Sequence, residues 1–465
     1  MRSLTVASVL FLIAALSSYA ETTNTTRTIT ISNAVELALN NNLDLRQAEK
    51  NMLIAEAQYA ESFADFWLPS INLSGSYTLI DPLTVSNAIV TEPSGYTVIG
   101  GTTVVPAGLS TISNAFPNNY AAGLTVSKAI FLGFRNLDAM QIKEINLDFA
   151  RKQYEDQKQA AIYSVETSFY DLIVLRENER LDRDLNVALS NQLITSKINY
   201  NYGISSQYDY ISVEVLYMNN QPKLISDSNA YEVAKMTLCN TIGIDQTNVQ
   251  FVGDLMDYTN IVVSNTNEAS IMELAESNSI TLLSYNVALK SLGLTRAIND
   301  ANFDPSLSAF ANYQYNYKRD FSDTTQNWWP SWNVGLQLSF SVDSWIPISR
   351  ASKTDVEYDE TIKKTLLSRT EYLESLDVQV KALLLQLNQG IQNLVSQKEG
   401  LKLAETGLKI ANTQFSLGQA SSLDLINAET AYTQASGNYL TAIFDYFSSA
   451  LQLKRLTGEF SDNKI

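Results

Sequence analysis

The chain carries 49 acidic against 32 basic residues over 465 positions, a net charge of −17, which disfavours nucleic acid and anionic membrane surfaces as partners. It has no histidine and one cysteine, Cys239, so an internal disulfide, histidine-based catalysis and most transition-metal sites are excluded. No cofactor is expected, and a carboxylate-pair enzyme is disfavoured because the acids sit mostly on helix faces beside polar neighbours, the pattern of solvated surface.

Residues 1–20 have the order of a secretory signal: Arg2, an apolar run from Leu4 to Leu16, then Ser18-Tyr19-Ala20, with cleavage expected after Ala20. Glu21 rather than cysteine comes next, so no lipid anchor is implied. Beyond that segment no apolar run reaches the ~18 residues of a transmembrane helix, and any membrane span must be a closed β-barrel.

Residues 31–64 read as a helix, with Asn33-x-x-Glu36 as a capping-box start and a break at Asn40-Asn41-Asn42. Pro69 ends it. From Ile71 to Leu79 the period changes to two: Ile71, Leu73, Gly75, Tyr77 and Leu79 alternate with Asn72, Ser74, Ser76 and Thr78, a strand with one apolar and one uncharged polar face. A long loop rich in Gly, Pro, Ser and Thr occupies 81–118, and a second strand of the same kind runs over 120–130.

The chain is then helical from Gly133 to about Tyr202, roughly 100 Å at 1.5 Å per residue, with Ile162, Val165, Phe169 and Leu172 at coiled-coil spacing. Gly203 supplies a left-handed stop and Ser206-x-x-Asp209 a capping box for a return helix to Gly243, bent at Pro222. Residues 245–268 read as an irregular polar connector.

The order then recurs. A helix over 271–301 ends near Pro305. A third strand occupies 306–317, with Phe310 interrupting its polar face. After a loop over 318–330, Trp332, Val334, Leu336, Leu338 and Phe340 alternate as a fourth strand. A second long helix over 350–415 carries Leu373, Leu376, Val380, Leu383 and Leu387 in heptads, turns at Gly418, and a last helix ends at Gly458. The stretches 203–243 and 418–458 align without a gap at an offset of 215: Gly203/Gly418, Ser206/Ser421, Asp209/Asp424, Glu214/Glu429, Tyr217/Tyr432 and Gly243/Gly458 are identical. The chain is therefore a tandem duplication, with a first repeat over 21–244, a connector over 245–268, a second repeat over 269–458 and a tail over 459–465. A period this long builds two halves of one pseudo-symmetric body rather than a solenoid.

Trp67, Trp328, Trp329, Trp332 and Trp345 sit at or beside strand ends, and Tyr77, Tyr120 and Tyr313 lie within strands, the placement of an interfacial aromatic girdle. Four strands cannot close a barrel, for which about eight are needed, and an open edge in lipid leaves backbone groups unsatisfied. Several copies must pool their strands. A soluble sandwich would instead want apolar faces pairing inward over many more strands.

The element order, with AVELALNNNLDLRQAEKNMLIAEAQYAESFADFWLPSINLSGSY near the start and FSLGQASSLDLINAETAYTQASGNYLTAIFDYFSSALQLKRLTG near the end, resembles the TolC family of outer-membrane efflux proteins over essentially the whole mature chain. The resemblance implies a mainly α protein with β: a homotrimer whose strands close a twelve-stranded barrel in outer-membrane lipid, continued by a tunnel of helical hairpins through the periplasm. It also implies docking on a periplasmic adaptor and an inner-membrane pump or ABC exporter, with no chemistry of its own. On that resemblance the turns with Gly203, Ser206 and Asp209, and Gly418, Ser421 and Asp424, form the periplasmic tip that meets the adaptor and narrows the tunnel. The same Ser-x-x-Asp pattern is equally a pair of helix caps. Asn427 stands where family members carry a second acidic ring, leaving Asp424 as a ring of three; Phe415 fits the aromatic of the family's helix lock, and Ala420 replaces its arginine. A periplasmic or surface coiled-coil protein without a pore is the alternative; it accounts for the heptads and not for the strands.

Overall fold

The computed structural model describes residues 27–79, 118–253, 267–319 and 328–459. The expected signal segment, all but the last residue of the long 81–118 loop, and most of the tail lie outside these. The elements in order are β1 (Arg27–Ile29), α1 (Ile31–Asn41), α2 (Leu43–Trp67), β2 (Ser70–Leu79), β3 (Asn118–Phe131), α3 (Arg135–Asn201), α4 (Gln207–Ile242), β4 (Val249–Phe251), α5 (Glu268–Asn278), α6 (Ile280–Asp300), β5 (Ser306–Arg319), β6 (Trp328–Ser339), α7 (Arg350–Ser416) and α8 (Ser422–Thr457). The duplication is kept to the residue: α3 and α7 have 67 residues each, α4 and α8 have 36 each. Two compact units are drawn from this chain, one from 1–52, 150–282 and 370–465, the other from 53–149 and 283–369.

The first unit is mainly helical, with the short strands β1 and β4. The seam residues Val165, Phe169 and Leu172 of α3 are buried with Ala34 and Ala38 of α1, Leu238 and Ile242 of α4, and Ile443 and Phe447 of α8. Tyr170 meets Phe447 edge-on with centroids 4.1 Å apart. A second cluster repeats the scheme, with Ile271 and Ala275 of α5 against Leu376, Val380, Leu383 and Leu387 of α7 and Ala450 and Leu453 of α8. Each large aliphatic side chain so buried contributes about 1.5–3 kcal/mol. Cys239 is a buried core residue.

Three sequence expectations for this unit need correction. Helix α1 begins at Ile31 with Thr30 as N-cap and no side-chain cap bond, so Asn33 and Glu36 lie inside the helix and form no capping box; β1 runs straight into the helix start. The connector is not wholly irregular, because Val249–Phe251 pairs in parallel with Arg27–Ile29. The 271–301 helix is two helices, broken at Ser279 as the first repeat is broken at Asn42. In each case the breaking residue caps the next helix: the Leu45 amide donates to Asn42 Oδ1 at 3.0 Å and the Leu282 amide to Ser279 Oγ at 3.1 Å. Helix α4 continues as one element through Pro222, the residue expected to bend it. The flanking side chains reach across to α3, Asn220 Nδ2 donating to the Asp182 carbonyl at 3.2 Å and Lys223 Nζ to the buried Asp182 carboxylate at 2.7 Å.

The second unit holds an antiparallel sheet in the order β2-β3-β5-β6, with β2 and β6 at its edges. Strand β6 starts at Trp328, four residues before the expected Trp332, so part of the predicted 318–330 loop is strand, and Phe340 lies just past its end. The apolar residues of the two-residue period share one face of the sheet, and in the edge strands β2 and β6 both faces are exposed. Phe310, the exception on the polar face, lies over its register partner Gly335, where a Cβ would sit 2.7 Å from the ring. Where α2 gives way to β2, Lys128 Nζ donates to the carbonyls of Asp65 (3.1 Å), Phe66 (2.5 Å) and Leu68 (3.1 Å), closing the helix C-terminus that Pro69 cuts off.

Candidate functional site

The two hairpin turns are built alike from the same residues. After α3, Gly203 adopts φ +71° and donates its amide to the Tyr200 carbonyl at 3.0 Å, while Ile204 donates to Asn199 at 2.8 Å. After α7, Gly418 adopts φ +72°, donating to Phe415 at 3.0 Å, with Gln419 to Gln414 at 2.8 Å. Both are Schellman ends, which require a left-handed residue.

Both aspartates are helix caps. Asp209 donates its amide to Ser206 Oγ at 3.1 Å and its Oδ2 accepts from the Ser206 amide at 3.2 Å and hydroxyl at 2.7 Å. Asp424 repeats the box on Ser421 at 2.9 Å from the amide and 2.7 Å from the hydroxyl. The Ser421 hydroxyl, and after it the Ser421 amide, hold the Asp424 carboxyl below the usual carboxylate range. Asp424 is exposed despite these bonds, and Asn427 is exposed beside it. Phe415 is half-buried one turn before Gly418. Behind the turns Ile426 is buried with Leu185 and Leu189 of α3 and Val213 of α4, so the second turn is anchored on the first hairpin.

One feature of the first turn escapes periodicity. Tyr200 and Tyr210 stack at 5.8 Å with planes 12° apart, and Tyr202, Ile204 and Tyr208 are exposed around them. The positions 215 residues on are Phe415, Leu425, Leu417, Gln419 and Leu423, so the first turn is tyrosine-rich where the second is mainly aliphatic. The density of tyrosines in NYNYGISSQYDY was the available signal.

The expected aromatic residues are brought into order by strand register. Tyr77, Tyr120, Tyr317 and Trp328 are successive partners across all four strands, with ring centroids 4.8, 5.7 and 5.0 Å apart. Tyr313 faces Trp332 in register four residues further along β5 and β6. Trp329 falls on the other face, opposite Asn316, and so departs from this row. Trp67 and Trp345 belong to the far end of the sheet, where Trp67 closes α2 beside Phe66 (5.1 Å) and Trp345 meets Phe303 (6.0 Å). Aromatic groups thus lie at both ends of the sheet, the tyrosines and tryptophans among them exposed except for Tyr317. Among the described residues no cluster of three or more metal-ligating side chains occurs, and no helix is long and apolar enough to cross a membrane.

Comparison with known proteins agrees with this architecture. The profile of the outer membrane efflux protein family matches residues 34–243 and 271–459, the two repeats. The chain is 20% identical to outer membrane protein TolC of Vibrio cholerae serotype O1 over 364 residues, covering 74% of this chain and 78% of that protein. Among solved structures it superposes on the Campylobacter jejuni CmeC outer membrane channel with a TM-score of 0.73 at 16% identity, covering 92% of this chain and 85% of that one. It superposes likewise on CusC with a TM-score of 0.71 at 14% identity, covering 92% and 91%. With both repeats matched, the chain belongs to the outer membrane efflux protein family.

Proposed function

We propose that three copies of this chain form the outer-membrane exit duct of a tripartite export system. Each would contribute four strands to a twelve-stranded barrel and two helical hairpins to a tunnel through the periplasm. The observation that carries the reading is the sheet: Ile71, Leu73, Leu336 and Leu338 are 66%, 84%, 68% and 71% exposed on its apolar face, while among the described residues both edge strands lack a partner on one side. Such a surface in water is an aggregation liability, and in lipid it is the required exterior, provided the edges pair between subunits.

The dimensions fit. Ten residues separate Trp328 from Leu338, about 33 Å of strand, which at a tilt of about 40° spans roughly 25 Å, the height of an outer-membrane apolar band. The helices also carry exposed apolar stripes, with Leu403 and Ile410 of α7, and Leu417 just past its end, at seven-residue spacing, a seam suited to a neighbouring helix.

On this reading the Gly203 and Gly418 turns face the adaptor, Asp424 lines the narrow end as one of three carboxylates beside Asn427, and the caps and the gate are the same residues. Passage is passive, with energy supplied by an inner-membrane pump or ABC exporter. Conductance of the purified protein in a planar bilayer tests it: stable open steps are expected, and a protein that never conducts would favour the pore-free coiled-coil alternative.

A further inference from the structure

Where the sheet meets the long helices, the second unit contains a cavity of about 550 Å³. Its wall includes Arg135, the first residue of α3, and Arg350, the first residue of α7. These are the same position in the two repeats, 215 residues apart, so the duplication brings two equivalent arginines, Arg135 half-buried and Arg350 exposed, to the wall of one cavity. Arg135 is fixed there, donating to Asn302 Oδ1 at 2.6 Å, while Asn302 in turn donates to the Asn299 carbonyl at 2.8 Å. Its Nε is buried with no hydrogen-bond partner among the described residues. A charged donor withdrawn from water and left without an acceptor is unfavourable, and the guanidinium fork matches the oxygens of a phosphate group.

The nearby acids do not satisfy it. Asp355 and Asp359 are taken by Arg296 at 2.6 and 2.5 Å and do not line the cavity; among the described residues Asp343 is the one carboxylate that does. Ser341 adds a neutral hydroxyl. The same linker that supplies Ser341 and Asp343 exposes Trp345, Ile346 and Ile348.

We propose that this cavity binds a phosphate ester, its oxygens held by Arg135 and Arg350. The source named by the flanking exposed Trp345, Ile346 and Ile348 is a phospholipid headgroup at the periplasmic boundary of the membrane, which rests on the placement proposed above. Native mass spectrometry of the full-length assembly purified in detergent tests it, with phosphatidylglycerol, diacylglycerol and inorganic phosphate offered separately. Phosphatidylglycerol is expected to be retained and diacylglycerol lost. The Arg135→Gln, Arg350→Gln double variant should bind about tenfold more weakly or worse, and the corresponding lysine pair should keep more of the affinity. Asp343→Asn, which leaves both arginines in place, should tighten retention.

Retention of inorganic phosphate without the lipid would support the cavity and reassign its source to a free anion. Equal retention by wild type and the glutamine pair, or retention of diacylglycerol as strong as that of phosphatidylglycerol, would overturn the proposal. Loss of bilayer conductance with phosphate binding intact would count against the channel reading alone.

Discussion

Replacing Gly243 by alanine separates a docking point from an ordinary helix stop. Gly243 ends α4 at φ +71°, and a Cβ there would lie 2.7 Å from Asn41 Cβ and 3.1 Å from the Asn41 carbonyl oxygen. Two penalties combine: about 1–2 kcal/mol for a left-handed alanine, and about 1–3 kcal/mol for an overlap that backbone must move to relieve. The loss is therefore about 2–5 kcal/mol. Gly203→Ala is the matched control, with the same φ of +71° and no described atom within 4 Å, so it carries only the first penalty. Gly458 repeats the tight case in the second half, at φ +76° with Asn278 Cγ at 2.6 Å and Asn278 Nδ2 bound to the Thr457 carbonyl at 2.8 Å; Gly418 repeats the open one. Hydrogen exchange of the detergent-solubilised protein reads the local effect, since the amides of α1 and the end of α4 should lose protection in Gly243→Ala and keep it in Gly203→Ala. Equal loss in the two variants would refute the claim that α4 docks onto the end of α1.

Asp424→Asn should reduce the cation preference of the bilayer current while Asp209→Asn leaves it, and because Ser421 holds the Asp424 carboxyl low, wild type should keep that preference as pH falls to the ordinary carboxylate range; equal effects would remove Asp424 from the gate. Glu166 of α3 is pushed up to about 7 by burial, with Lys454 opposing. Its folded pKa exceeds the unfolded 4.5, so the folded state binds more protons and stability falls as pH rises from 4.5 to about 7, by about 3 kcal/mol for this group. Glu166→Gln should flatten thermal stability across that window, and an unchanged pH profile would contradict the assignment. Phe310→Ala, on the polar face, should raise single-channel conductance, whereas Tyr313→Ala, on the apolar face, should not; the reverse result would invert the sheet. Tyr317→Ala removes two ring contacts in the aromatic row and should lower thermal stability by about 1–3 kcal/mol.

Much of this fold was legible because strong periodicity and punctuation coincide. The heptads of α3 and α7 became core, and the left-handed glycines with their Ser-x-x-Asp boxes fell where the alignment of repeats put them. Alternation in Ile71–Leu79 and Trp332–Leu338 assigned both faces. The features that were missed depended on partners distant in sequence. The strand at Val249–Phe251 exists only because Arg27–Ile29 lies beside it, and three residues carry no period to detect. Ser279 breaks a pattern that stays helical on both sides, so nothing short of its bond to the Leu282 amide marks the break. Trp328 and Trp329 read as loop because of Pro330, yet β6 is an edge strand, where a missing amide is tolerated. The cap or gate question at Asp424 could not be decided from Ser-x-x-Asp, since one geometry serves both, and the arginine cavity required knowing that positions 135 and 350 converge.

The central claim is that the four strands, whose two edges are unpaired among the described residues, are completed by neighbouring copies. The mass of the native particle in a mild detergent tests this most directly. Three chains per particle, insoluble once the detergent is withdrawn, is the predicted result; a stable single chain that remains soluble without detergent would contradict it.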